Sequence, residues 1–135
     1  MGRLFIGAVL CVGALSGCSS EETSGEDLQP EVTYIDDIQR NDLSNERAVD
    51  WQRYEVVDET NIRVFFSAGS KSCYGTRALV EETFETIEIA VLEGSFPGAP
   101  DVCTLIAREA SILAETSQPV ADREVIQLAD PELNP

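Results

Sequence analysis

The chain has no histidine, and only nine Lys and Arg residues stand against 25 Asp and Glu. Without His, no side chain has an ordinary pKa near neutrality, and the commonest metal ligand is missing. That excludes Ser-His-Asp and Cys-His catalytic devices and every His-containing zinc site. The shortage of cations leaves a formal net charge of −16 over 135 residues. A surface of that sign repels nucleic acid and anionic lipid headgroups, so no nucleic acid is expected as a partner. The four cysteines, Cys11, Cys18, Cys73 and Cys103, contain no C-x-x-C pair, which removes the usual redox and metal spacing. The apolar run from Leu4 to Leu15 falls short of the roughly 20 residues a membrane-spanning helix needs.

That run has a different use. "MGRLFIGAVLCVGALSGC" begins with a basic Arg3, continues apolar to Leu15 and ends in the small residues Ser16 and Gly17. This is the layout of a secretory signal peptide. A myristoylation signal does not fit, because Ile6 stands where Ser or Thr is required. Leu15-Ser16-Gly17-Cys18 resembles the lipobox of bacterial lipoproteins. The resemblance implies diacylglyceryl transfer to the Cys18 thiol and cleavage just before it. Several acyl chains make a lasting anchor where one is marginal. Cys11, preceded by Leu10, fits the lipobox poorly and is expected to leave with the signal.

The expected organisation is a signal peptide over 1–17, an acidic tether over 18–50, a β domain over 51–130 and a short tail over 131–135. "SSEETSGEDLQPE" is polar and acidic with Gly25 and Pro30. Such composition buries too little apolar surface to offset chain entropy. Within the tether, "TYIDDI" (33–38) reads as a weak strand or docking segment, and Ser44 to Trp51 as a helical turn. From Trp51 the pattern changes. "NIRVFFS" (61–67) and "TIEIAVLE" (86–93) alternate with period two and predict half-buried strands. "RYEVV" (53–57), "CYGTRALVEE" (73–82) and "DREVIQL" (122–128) predict three more, with Gly75 marking a bulge or bend. "CTLIAREASILAE" (103–115) is ambiguous: its Ala, Leu, Arg and Glu favour helix, while Ile106, Ala110, Ile112 and Ala114 would line one side of a strand.

Cys73 and Cys103 remain once the signal and the lipidated cysteine are set aside. An exported chain meets oxidising surroundings, where such a pair is expected to form a disulfide.

The order of elements from Trp51 resembles a group of small exported or lipid-anchored actinobacterial proteins of unassigned function. The shared pieces are Trp51, Cys73-Tyr74-Gly75, Glu81-Glu82-Thr83, Phe96-Pro97-Gly98, Cys103 and Pro119 to Arg123. In the last piece Val120 and Ala121 stand where Leu and Gly are usual. The resemblance covers residues 49 to about 127 and implies an all-β domain with a linking disulfide. It also favours strand over helix for 103–115. The expected fold is therefore a small antiparallel β-sandwich or open barrel of about six strands.

No catalytic residue, metal site or cofactor is expected. Glu81, Glu82, Glu85 and Glu88 cluster at a predicted turn, where solvation works against the raised pKa a general acid needs. The loop "EGSFPGAPDVC" offers Glu93 and Asp101 as strong oxygen ligands, without an EF-hand pattern. Phe96 and Pro97 form the candidate interaction tip, the alternative being that Phe96 folds back onto the domain edge as a lid; Trp51 and Tyr74 are further candidates, the alternative being core or edge packing. The function expected is a lipid-anchored, non-catalytic binding module on the extracytoplasmic face of the cell membrane. Its partner would be an envelope protein or a cell-wall component. The alternatives are a carrier of a small apolar ligand, which needs a pocket between sheets, and a carboxylate-dependent hydrolase.

Overall fold

Apolar and polar residues alternate through Asn61–Ala68 and Thr86–Ser95, and these two segments are the central strands of two sheets. The computed structural model describes residue 13 and residues 33–135. The expected signal segment, the expected lipidation site Cys18 and the first part of the expected tether lie outside the described residues. The strands are β1 (Ser44–Val49), β2 (Trp51–Val56), β3 (Asn61–Ala68), β4 (Tyr74–Glu82), β5 (Thr86–Ser95), β6 (Arg108–Glu115) and β7 (Glu124–Gln127). Helix is absent among the described residues, so the domain is all-β, with seven strands in place of about six.

One sheet has the order β2-β3-β6 and is antiparallel throughout. In the other, β5 pairs with β4 along one edge; along the opposite edge it pairs with β7 and then β1. The short β5–β7 pair is parallel and the other pairs are antiparallel. Only Asp50 separates β1 from β2, so one extended stretch changes sheets there. Trp51 pins the crossing: its indole N–H donates to the Ile89 carbonyl at 2.9 Å.

At the other margin, the segment ahead of β1 straps β6 to β4. The Asp37 N–H donates to the Ser111 carbonyl at 2.7 Å, and the Arg40 N–H to the Thr76 carbonyl at 3.0 Å. Between them, the Gln39 side chain donates to the Leu113 carbonyl and accepts from the Ala78 N–H, both at 2.7 Å. One amide thus satisfies backbone groups of two sheets. Joined at both margins, the sandwich approaches an open barrel.

Ile62, Val64 and Phe66 of β3 meet Ile87, Ile89 and Val91 of β5, with Ile112, Val120 and Val125, and fill the space between the sheets. A smaller cluster of Leu79, Ala90, Leu92 and Leu128 lies on the other face of β4 and β5. The C-terminal segment is held near it. Asn134 donates its N–H to Glu46 Oε2 at 2.7 Å and accepts from the Glu46 N–H at 3.0 Å. Glu46 is buried beside Arg77, whose Nε and Nη2 lie 2.6 and 2.9 Å from its oxygens. The Arg77 hydrogen bonds and charge hold the Glu46 carboxyl below the usual carboxylate range, outweighing burial.

Several expectations are corrected. The domain starts before residue 51, because β1 pairs with β5 and Leu43 is buried. Residues 131–135 are docked through Asn134 and do not form a free tail. Ser44 to Trp51 is strand, not a helical turn: pairing with β5 overrides the local preference, at the cost of a register shift near Asn45, whose φ is +50°. Gly75 sits in regular register opposite Gly94, without a bulge. Its lack of a Cβ serves close approach, since a Cβ there would stand 2.6 Å from Arg40 Cδ. In 103–115 only Arg108–Glu115 is strand; residues 103–107 are loop. Ala121 has φ +44°, a left-handed conformation that suits Gly better.

Candidate functional site

The barrel end formed by the C-termini of β3 and β5 and the N-termini of β4 and β6 carries an inward-facing layer of charge. On β5, inward positions continue from Ile87, Ile89 and Val91 to Glu93, whose side chain is fully buried. A buried carboxylate needs compensation, and three donors supply it. The Gly69 N–H donates to Oε2 at 2.7 Å, Arg47 Nε lies 3.2 Å from Oε1, and Arg47 Nη2 also donates to Oε1. Glu93 is therefore committed to β1 and the β3–β4 loop. Among the described residues no group of three or more His, Cys, Asp or Glu is placed to hold a metal ion.

Asp37 on the strap forms the second half of the layer. Arg108 Nη1 lies 3.1 Å from Oδ1, and Nη2 donates to Oδ2. Thr76 Oγ1 donates to Oδ2 at 3.2 Å, and Lys71 Nζ lies 3.2 Å from Oδ1. Arg108 also donates through Nε to the Gly69 carbonyl at 3.0 Å. Burial alone would raise the Asp37 carboxyl; hydrogen bonds and charge from Arg108 and Lys71 hold it below the usual range. Next to it, Asp36 accepts from Arg63 Nε and Nη2 at 2.8 and 2.9 Å and from Ser111 Oγ at 2.6 Å. Burial opposes ionisation of Asp36 too, and the Arg63 and Ser111 bonds outweigh it.

Above this layer two clefts flank the Tyr74 side chain. One, of about 700 Å³, is lined by Arg47, Gly69, Tyr74, Glu93, Leu105 and Ile106, among others. The second, of about 320 Å³, includes Ile35, Ile38, Arg40, Lys71 and Phe96. The Tyr74 ring lies so close to Gly69 that a Cβ there would be 2.6 Å from Cδ2. The Cys73–Cys103 disulfide is formed and ties the 96–107 loop to the start of β4. Beyond that bond Val102, Leu105 and Ile106 stand exposed.

The sequence-predicted interaction residues divide between the mouth and the opposite margin. Phe96 is half-buried beneath Arg40, whose guanidinium carbon lies 4.3 Å from the ring centroid. It is not a free tip, although Pro97 beside it is exposed. Trp51 is on the opposite margin, packed against the main core. Tyr74 alone lines both mouth clefts. Leu105 and Ile106 lie in loop and are exposed at this end, together with Val102, Ile35 and Ile38. The signal that could have found Leu105 and Ile106 is the Pro97-Gly98 and Pro100 cluster followed by a bridged cysteine, which favours loop.

At the far end, the four glutamates do not converge. Glu81 and Glu85 are exposed, and Glu81 lies opposite Glu88 across the β4–β5 register. Glu82 accepts from Ser117 Oγ at 2.6 Å, the Ser117 N–H at 2.8 Å, Arg123 Nη1 at 3.0 Å and the Gln118 N–H at 3.3 Å. The Ser117 hydroxyl first, then the other donors, lower its pKa from 4.5 to about 2. A depressed pKa stabilises the fold above the ordinary value and loses that contribution as pH falls towards about 2. After allowance for residual solvent screening, Glu82→Gln should cost about 1–2 kcal/mol at pH 7 in urea unfolding. The gap between variant and wild type should close as the pH drops from 4.5 to about 2. An equal gap at all pH values would show that the charge of Glu82 contributes nothing.

No protein-family model, curated protein or solved structure matches this chain. Its function is therefore argued from its own residues.

Proposed function

We propose that this chain is a lipid-anchored protein of the cell envelope, held through Cys18 on the extracytoplasmic face. Its β domain is a non-catalytic binding module. The observation that carries the reading is the disposition of charge. Residues 33–135 contain eight cations, and each is ion-paired within the domain: Arg40, Arg47, Arg53, Arg63, Lys71, Arg77, Arg108 and Arg123. They engage seven of the twenty carboxylates in those residues, and the other thirteen have no ion pair among the described residues. The surplus acids present an anionic surface suited to a cationic envelope protein or cell-wall component.

The rival readings find less support. A carrier needs an apolar cavity between the sheets, and aliphatic side chains occupy that space. A hydrolase needs a carboxyl with raised pKa, and Glu82 is moved the other way.

Cys18→Ala tests the anchor. The variant should leave the membrane fraction for the medium or accumulate as precursor. Full processing and unchanged membrane attachment would sink it. Crosslinking in intact cells, followed by recovery of the anchored protein, tests the binding role. One dominant partner should be recovered, and high salt before crosslinking should weaken its capture, because exposed charges are screened.

A further inference from the structure

We infer that the mouth of the barrel is the face this domain lays on a lipid bilayer. The inference rests on the Cys18 anchor for proximity and on three observations of its own. First, five aliphatic side chains from two separate segments stand in water around Tyr74 and the disulfide. Leu105 is fully exposed, Ile35, Ile38 and Val102 are 83%, 86% and 87% exposed, and Ile106 is 62% exposed. Second, Arg40, Arg47, Lys71 and Arg108 border the same two clefts, with the Arg47 and Lys71 side chains 67% and 61% exposed. Their partners Asp42, Glu93 and Asp37 are neutralised by them.

Third, the unpaired acids are segregated. Asp58 and Glu59 in the β2–β3 turn, and Glu81, Glu85, Glu88, Glu115, Asp122 and Glu124, crowd the opposite end of the strands. At the mouth stand Asp101 and Glu109, and Asp50 at the β1–β2 junction with Asp130 and Glu132 in the C-terminal segment complete the thirteen. A headgroup surface matches this polarity. Aliphatic tips enter the interface, exposed Lys and Arg sit at the level of the phosphates, and the anionic end is turned away from the membrane. A protein-docking centre is built from packed aromatic and Arg anchors. Here Phe96, the aromatic of the loop, is covered by Arg40, and the exposed large side chains of loop and strap are aliphatic. The arrangement also explains how a strongly acidic domain lies near an anionic membrane, with its surplus charge facing outward to the partner of the preceding section.

The test reconstitutes the lipidated full chain into vesicles of phosphatidylcholine and phosphatidylglycerol, with a Trp reporter at either end. Leu105→Trp probes the mouth and Phe84→Trp, fully exposed in the β4–β5 turn, probes the far end. Trp51 is a constant background in both. Leu105→Trp emission should shift to the blue and be quenched by lipids brominated on their acyl chains, while Phe84→Trp should not respond. Leu105→Ser with Ile106→Ser should lower vesicle partition of the unlipidated Cys18→Ser chain roughly tenfold or more. Protein that floats with the vesicles while Leu105→Trp stays unquenched overturns the inference and leaves the anchor standing. Protein that does not float, with Cys18 unmodified by mass, sinks the anchor. The same probes on the free chain at high vesicle concentration then decide the mouth: quenching upholds it and no quenching overturns it. Crosslinking of residue 105 to a protein in cells, without lipid quenching, replaces the bilayer with a protein partner.

Discussion

Asp37→Ala should lower the free energy of unfolding by about 3 kcal/mol, a large fraction of the total for a domain of this size. The substitution leaves the Arg108 guanidinium, 23% exposed, without its charge partner in a site shaped for a pair. It also removes acceptors for Lys71 and Thr76. Breaking one side of a partly buried pair costs far more than the pair contributes net, because the survivor stays desolvated. The loss should be local before it is global. Amide exchange at Asp37 and Arg40, whose N–H groups bond to Ser111 and Thr76, should accelerate more than at Val64 or Ile89 in the core. Asp37→Asn keeps the shape and some hydrogen bonding, so its cost should be smaller. If Asp37→Ala unfolds at the wild-type urea midpoint, the strap is not a structural clasp and the charged layer at the mouth contributes no stability.

The strap also shows where a sequence stops being legible. Asp36 and Asp37 lie in a stretch whose acidity reads as solvated tether. Their cations, Arg63 and Arg108, are 27 and 71 residues further along. Composition over a local window cannot reveal a partner at that separation, so sequence alone starts the domain near residue 51 although the strap and β1 belong to it. The same applies to β1. Glu46 and Arg47 point to opposite faces, and each is matched by a distant residue, Arg77 and Glu93. A strand whose side chains are satisfied by ion pairs has no apolar alternation to detect. By contrast β3 and β5 carry their burial in their own pattern, since period two and the core face coincide. The Cys73–Cys103 bridge is legible because these are the two cysteines of the strand-rich segment. Phe96 folds back onto the domain edge, one of the two readings its loop leaves open, and its cover, Arg40, comes from the strap.

Replacing both bridged cysteines with serine should remove roughly 3–4 kcal/mol, since the bond spans 30 residues and closes that loop in the unfolded chain. Two contributions are separable. The unfolded state gains freedom, which lowers the denaturation midpoint whatever the loop does in the native fold. The native state loses a tether at the mouth, where the 96–107 loop has one other clear hold, the Arg40–Phe96 stack. Cys73 is buried beside Tyr74, so serine there also buries a hydroxyl at some cost. A variant with alanine at both positions controls for that. Proteolysis under native conditions reads the second contribution. Cleavage in 100–107 should appear in the double variant before the core strands are attacked, while the strap stays protected through Asp37 and Gln39. Identical urea midpoints for oxidised protein and both double variants would mean that the bridge constrains neither state. A lowered midpoint without early loop cleavage would assign the whole effect to the unfolded chain, and would show that the apolar residues at the mouth keep their position without the covalent bond.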